Sequence, residues 1–155
     1  MDTHSPQSFS FTARHLGLIL VLIGIVISAY LSYVEFVDAP IICVEGESFD
    51  CNLVQQSAWS KFMGMPVAYL GLAGYLIIGA LLLLENRNEF LEDNARLILF
   101  AIGLVAWLFS MWLVYVQVAI LGAFCQWCLG HEANFTVLFA VIIYLLWRDL
   151  SGAEE

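Results

Sequence analysis

The chain alternates long apolar runs with short polar breaks, and four of the runs are long enough to cross a bilayer. A transmembrane helix needs about 20 mostly apolar residues. The first run covers 16–37 and starts after Arg14-His15. The second covers 65–84, between the Gly64-Met65-Pro66 break and Glu85-Asn86-Arg87. The third, 95–123, starts around Ala95-Arg96, and the fourth, 126–147, stops at Trp147-Arg148-Asp149. A signal peptide is the weaker reading of the first run, because an apolar signal core is usually about 7–15 residues. No small-x-small cleavage site follows it. The pattern predicts an all-α integral membrane protein, a single membrane domain over 1–155. It is expected to fold as a four-transmembrane-helix bundle with a long loop at 38–64.

Inside that loop the apolar period shortens. Val54, Ala58 and Phe62 recur at i, i+4 and i+8, with Leu53 and Trp59 beside them. This predicts a short amphipathic helix from Asn52 to Phe62, lying at the membrane interface. Pro66 is tolerated at the entry to the second span. Gly17, Gly24, Gly71, Gly74 and Gly79 are expected where helices approach closely.

Composition supports the membrane reading: 62% of residues are hydrophobic and 12% charged. It leaves no room for a further soluble domain. A net charge of −9 with only five basic residues excludes nucleic acid as a partner. The positions of those bases set an expected orientation. Arg14, Arg87, Arg96 and Arg148 share one face, which the positive-inside rule assigns to the cytoplasm. Lys61 alone falls on the other. Both termini are then cytoplasmic, in a multi-pass membrane protein. The acidic loop residues Asp38, Glu45, Glu47 and Asp50 read as a solvated loop rather than a steering patch.

On this topology all four cysteines lie outside: Cys43 and Cys51 in the loop, Cys125 and Cys128 where the fourth span begins. Thiols outside the cytoplasm are those that form disulfides, and four of them allow three pairings. In Cys125-Gln126-Trp127-Cys128 the thiols stand at a helix start, where unpaired N–H groups favour a thiolate and are expected to tune Cys128 for electron transfer. Two intervening residues let a ring close reversibly. The competing readings are a structural disulfide, buried reduced cysteines, or half of a zinc site. The wide spacing of Cys43 and Cys51 suits zinc poorly, so no metal is assigned. Two pairs on one face favour redox chemistry. Cys43 and Cys51 flank Gly46, in a loop expected to move and to exchange disulfides with a soluble dithiol. The fixed pair then faces an acceptor that must dissolve in lipid and take two electrons. A quinone meets both demands.

Other side chains are candidates for the acceptor site. His131 and Glu132 follow Cys128 by three and four positions, on or near its helix face. A protonated His131 would steady a Cys128 thiolate or donate to a quinone oxygen; the alternative is that both groups sit shallow and hydrated. Trp59, Phe62, Tyr115 and Trp127 either line a quinone pocket or belong to an interfacial aromatic belt, and the belt is favoured.

Cys43, Cys51, Ser57 in the triplet Ser57-Ala58-Trp59, the turn from Met63 to Gly71 and the CxxC resemble, in that order, the vitamin K epoxide reductase family. The resemblance is to its prokaryotic branch, which implies a bacterial or archaeal inner membrane, and runs from about Leu16 to Trp147. It implies a four-helix bundle around a quinone such as ubiquinone, menaquinone or a vitamin K-like ring. It also implies roles. Cys43 is attacked by a thioredoxin-like partner on the outer side, Cys51 passes electrons to Cys125, and Cys128 delivers them. Ser57 is the polar group near the quinone. The chain ends soon after the fourth span, so the partner is expected to be separate rather than fused. The bacterial Dsb-type oxidase also has two pairs, with the CxxC first; the order here is reversed. Relatives usually carry uncharged residues where His131 and Glu132 stand. Two further readings remain: dithiol-driven reduction of a vitamin K epoxide or quinone, and a membrane scaffold with structural disulfides.

Overall fold

A computed structural model of the chain describes residues 6–44, 46–84 and 89–152. Glu45 and the Glu85-Asn86-Arg87 break, including the orientation-setting Arg87, lie outside the described residues. Four long helices dominate: α1 (Pro6–Phe36), α3 (Val67–Leu84), α4 (Glu89–Tyr115) and α5 (Gln126–Gly152). Each contains a segment long and apolar enough to cross a membrane: Thr12–Phe36, Val67–Leu84, Asn94–Leu121 and Gln126–Gly152. The fold is the expected membrane bundle. α1 packs against α3 and α5, and α5 also packs against α4, while α3 and α4 touch only lightly.

The central core joins Val21 of α1, Tyr75, Ile78 and Leu82 of α3, Leu99 of α4, and Phe135, Leu138 and Ile142 of α5. The glycines that matter are those under a neighbour's side chain. A Cβ on Gly24 would fall on the Tyr75 ring, and one on Gly79 would stand 3.0 Å from Val21 Cγ1. Gly103 was not singled out in the sequence, yet a Cβ there would stand 2.9 Å from the Phe139 ring. Gly74, expected at a crossing, has nothing within 4 Å of such a Cβ and lines a cavity instead.

Between α1 and α3 the chain forms α2 (Cys51–Gln56), a 3-10 turn Ala58–Ser60, and a hairpin of β1 (Lys61–Phe62) and β2 (Met65–Pro66). The single helix expected from Asn52 to Phe62 is therefore corrected. Ser57 turns to an extended conformation (φ −65°, ψ 155°). Its N–H and its hydroxyl both donate to the Val54 carbonyl, at 3.4 and 2.7 Å. A serine that bonds the preceding turn this way competes with helix propagation. The hairpin also moves the start of the second long helix from Met65 to Val67, because Met65 pairs with Phe62.

The third long helix ends in a π-helical turn, Val116–Leu121, closed by Gly122 in the left-handed region at φ 60°. Glycine meets that backbone at no steric cost. At the opposite end of the bundle, Arg14 donates to the Leu82 carbonyl at 3.1 Å, and Arg96 bonds both the Leu145 carbonyl and Asp149. Lys61 lies at the cysteine end, 3.7 Å from Glu35. Among the described residues, the arginines and the cysteines thus occupy opposite ends.

Candidate functional site

Asp50 caps α2: its carboxylate accepts the Leu53 N–H at 2.9 Å. Capping satisfies an orphan donor and fixes where the helix begins. Cys51 is thereby the first residue of α2. It is disulfide-bonded to Cys43, with the Cα atoms 5.9 Å apart. Cys125 and Cys128 are free thiols. Cys51 and Cys125 are each 0% exposed. Both belong to one apolar cluster with Leu31, Ile41, Val54 and Ala123, and Cys43 and Cys128 pack at its margin. The four sulfurs, distant in sequence, share one small hydrophobic compartment.

Past Gly122 the chain runs extended to Cys125, the N-cap of α5. Its carbonyl accepts the first intrahelical bond, from Leu129 N–H at 2.9 Å, and its sulfur accepts the Cys128 N–H at 3.4 Å. The Cys125 N–H is in turn held by Gln117 Oε1 at 3.2 Å. Gln117 is itself buried, in the π-helical turn. Hydrogen bonding from the Cys128 side chain pushes the Cys125 thiol below the usual thiol range; burial opposes this, and the N–H groups of Cys128 and Trp127 add to it. The sequence assigned the helix-end effect to Cys128. The geometry assigns it to Cys125, since a cap side chain folds back onto the third N–H while the third residue itself points along the helix. Cys128 takes a different partner, Gln55 of α2, whose amide donates to its sulfur at 3.8 Å.

The loop carrying Cys43 is hydrogen-bonded to α5 on both flanks of that cysteine. The Trp127 indole donates to the Ile42 carbonyl at 2.7 Å, and the Val44 N–H donates to Gln126 Oε1 at 3.1 Å. The two residues inside the CxxC are thus the ones that grip Cys43. Further ties run from Phe124 N–H to the Ser48 carbonyl (2.9 Å), Asp50 N–H to the Phe124 carbonyl (3.1 Å) and Ile41 N–H to Asn52 Oδ1 (3.0 Å). Tyr30 of α1 supports the Trp127 ring, with centroids 4.8 Å apart.

Below the sulfurs, between α3 and α4, lies a cavity of about 750 Å³. Ligand pockets commonly measure about 300–1,000 Å³ and combine apolar walls with a few placed polar groups. Cys128, Ser57, Trp59, Phe62 and His131 all line it. Trp59 and Phe62 close its upper side by edge contacts to Trp112 and Phe109 of α4, at 5.3 and 5.5 Å. His131 stands edge-on to Tyr75 at 5.3 Å, over Gly71, whose absent Cβ would lie 3.3 Å from His131 Nε2. Trp127 faces the Cys43 loop rather than the cavity, and Tyr115 is exposed on α4.

Several side chains of the site carried no sequence signal. Ser28 of α1 lines the cavity, and its hydroxyl is buried with no hydrogen-bond partner among the described residues. Ser110 of α4 donates to the buried Glu132 carboxylate. Gln55 and Gln117 also line the cavity. A polar residue at the right helical spacing was the only available clue, and apolar segments contain many such residues without a role. The cavity thus combines mostly apolar walls with one thiol, an imidazole, the Glu132 carboxylate and a few hydrogen-bonding groups.

The sequence matches the description of one known family over residues 16–143: the vitamin K epoxide reductase family. The match takes in all four cysteines, the cavity-lining hairpin and most of the four long helices.

Proposed function

Because the chain belongs to the vitamin K epoxide reductase family, a family of membrane thiol oxidoreductases, we propose that it oxidises a thioredoxin-like dithiol protein and reduces a membrane quinone, supporting disulfide-bond formation. The observation that carries this reading is the co-burial of Cys51 and Cys125 in one cluster. It makes a sulfur-to-sulfur path from the half-exposed Cys43 to the cavity-lining Cys128 short and dry.

The steps follow from where each group sits. A partner thiolate attacks Cys43 and releases Cys51, since Cys43 is the less buried sulfur of that disulfide. The freed Cys51 exchanges with the Cys125–Cys128 disulfide at Cys125. That exchange bonds Cys51 to Cys125 and releases Cys128. The partner's second thiolate then displaces Cys43 and leaves as a disulfide. The freed Cys43 attacks Cys51, which reforms Cys43–Cys51 and leaves the CxxC a dithiol, with Gln117 and the first turn of α5 holding Cys125 in place. A quinone bound in the cavity supplies a two-electron acceptor. Cys128 and the polar groups around it orient its ring, and Trp59 and Phe62 exclude water. The cysteine end then faces outward and the arginine end the cytoplasm, in keeping with the bias of Arg14, Arg96 and Arg148 against Lys61.

The test is a trapped intermediate. Cys51→Ala leaves Cys43 a lone thiolate, which exchanges into the disulfide of the oxidised partner and is held there because no Cys51 remains to displace it. The expected outcome is a mixed disulfide linking a thioredoxin-like protein to Cys43, found by non-reducing mass mapping. A mixed disulfide on Cys125 or Cys128 instead overturns the order of the relay.

A further inference from the structure

We propose that Glu132 is the proton carrier of this site, moving protons from the thiols to the reduced ring; the proposal rests on the quinone-reducing reading above. Glu132 lines the cavity and is 7% exposed, within a helix that spans the membrane. It stands four residues after Cys128, a spacing that puts Cβ atoms about 5–6 Å apart on one helix face. An ionisable group at this depth is costly to keep and is retained for function by default.

Its surroundings suit a group that must change protonation state. Ser110 donates to one carboxylate oxygen, and Thr136 donates to the other at 3.5 Å. Trp107 N–H donates to Thr136 Oγ1 at 3.2 Å, which leaves the Thr136 proton free to point at Glu132. A hydroxyl can both donate and accept, so this network satisfies a carboxylate and, after its hydroxyls rotate, a carboxylic acid. No cation is among these partners to lock the charge in place. A structural carboxylate paired to arginine, as Asp149 is to Arg96, has no such freedom.

The reaction balances with Glu132 in this role. Two thiols, Cys125 and Cys128, lose two electrons and two protons and become one disulfide; the quinone gains both and becomes a quinol. The Glu132 carboxylate takes the proton of Cys128, producing the thiolate, and gives it to a ring oxygen as that oxygen gains charge. The regenerated carboxylate then carries a second proton to the same ring, matching the one that Cys125 sheds on becoming the thiolate that bonds Cys128. Cys128 and His131 on α5 are the other titratable groups lining the cavity, and Tyr75 of α3 lies next to His131. α1, α2 and α4 present none to it among the described residues.

The experiment uses the full chain in lipid nanodiscs with a small dithiol and a short-chain quinone, read by quinol formation. Glu132→Gln keeps the shape and hydrogen bonding and removes the proton. Its kcat is expected to fall about a hundredfold or more, the usual worth of general acid–base catalysis, and one limb of the pH profile of kcat is expected to vanish. Glu132→Asp restores part of the rate and the limb, and His131→Ala retains the limb. Reduction of the Cys43–Cys51 disulfide by the dithiol, followed by thiol alkylation, stays unchanged in Glu132→Gln. If the unaltered chain reduces quinone and Glu132→Gln matches it, or if Glu132→Gln slows dithiol exchange equally, the carrier role is overturned while the quinone reading stands. If the unaltered chain reduces no quinone, the function and the carrier role fall together.

Discussion

At the scale of single residues, the two sulfurs of the CxxC have unequal surroundings. Cys125 is the helix cap, fully buried, with its sulfur facing the N–H of Cys128 and its own N–H gripped by Gln117. Cys128 opens onto the cavity. The hydrogen bond from the Cys128 side chain lowers the Cys125 thiol, so its thiolate persists at a pH where an ordinary cysteine is protonated. With Cys43–Cys51 oxidised and the CxxC reduced, ultraviolet thiolate absorbance is expected to rise below the usual thiol titration range. Cys128→Ala removes the largest cause, and the titration should then move to higher pH. The presence of a thiol pair and its place at a helix start were legible in the sequence, because a CxxC before an apolar run has few other meanings. Which thiol receives the helix N–H groups was not. That depends on where α5 begins, and a shift of one residue reverses the answer.

At the scale of elements, the long helices were readable because lipid demands continuous apolar sequence, and no tertiary contact can override that demand. The loop was only partly readable. Its apolar period implied a helix through Phe62, whereas Ser57 breaks it, Asp50 starts it, and the hairpin Lys61–Pro66 takes the remainder. These devices allow Cys51 to sit buried at a helix start while Trp59 and Phe62 hang over the cavity. The glycines divide in the same way. Gly24 and Gly79 mark true crossings, but Gly74 and Gly103 exchange the roles their positions implied, since only packing shows which face of a helix meets a neighbour. Gly24→Ala places a methyl on the Tyr75 ring, which cannot swing aside: it is 1% exposed and its hydroxyl bonds Asn134 at 3.1 Å. Overpacking of this kind costs about 1–3 kcal/mol. A lower thermal unfolding midpoint in detergent should register it, and an unchanged midpoint would mean that α1 and α3 do not pack as described.

At the scale of the whole molecule, the bundle is a divided device. One end gathers two cysteine pairs around a single apolar cluster, and below it the lightly packed seam between α3 and α4 leaves a cavity lined, among the described cysteines, by Cys128. A scaffold with structural disulfides needs neither the free pair nor the cavity beside it. The central claim is that electrons leave through Cys128 into a quinone held in that cavity. It is tested most directly by measuring quinol formed per dithiol oxidised, with the purified chain and with Cys128→Ala. One quinol per dithiol is expected from the unaltered chain and none from Cys128→Ala, whose Cys43–Cys51 disulfide still exchanges with the dithiol. Sustained quinol formation by Cys128→Ala would contradict it.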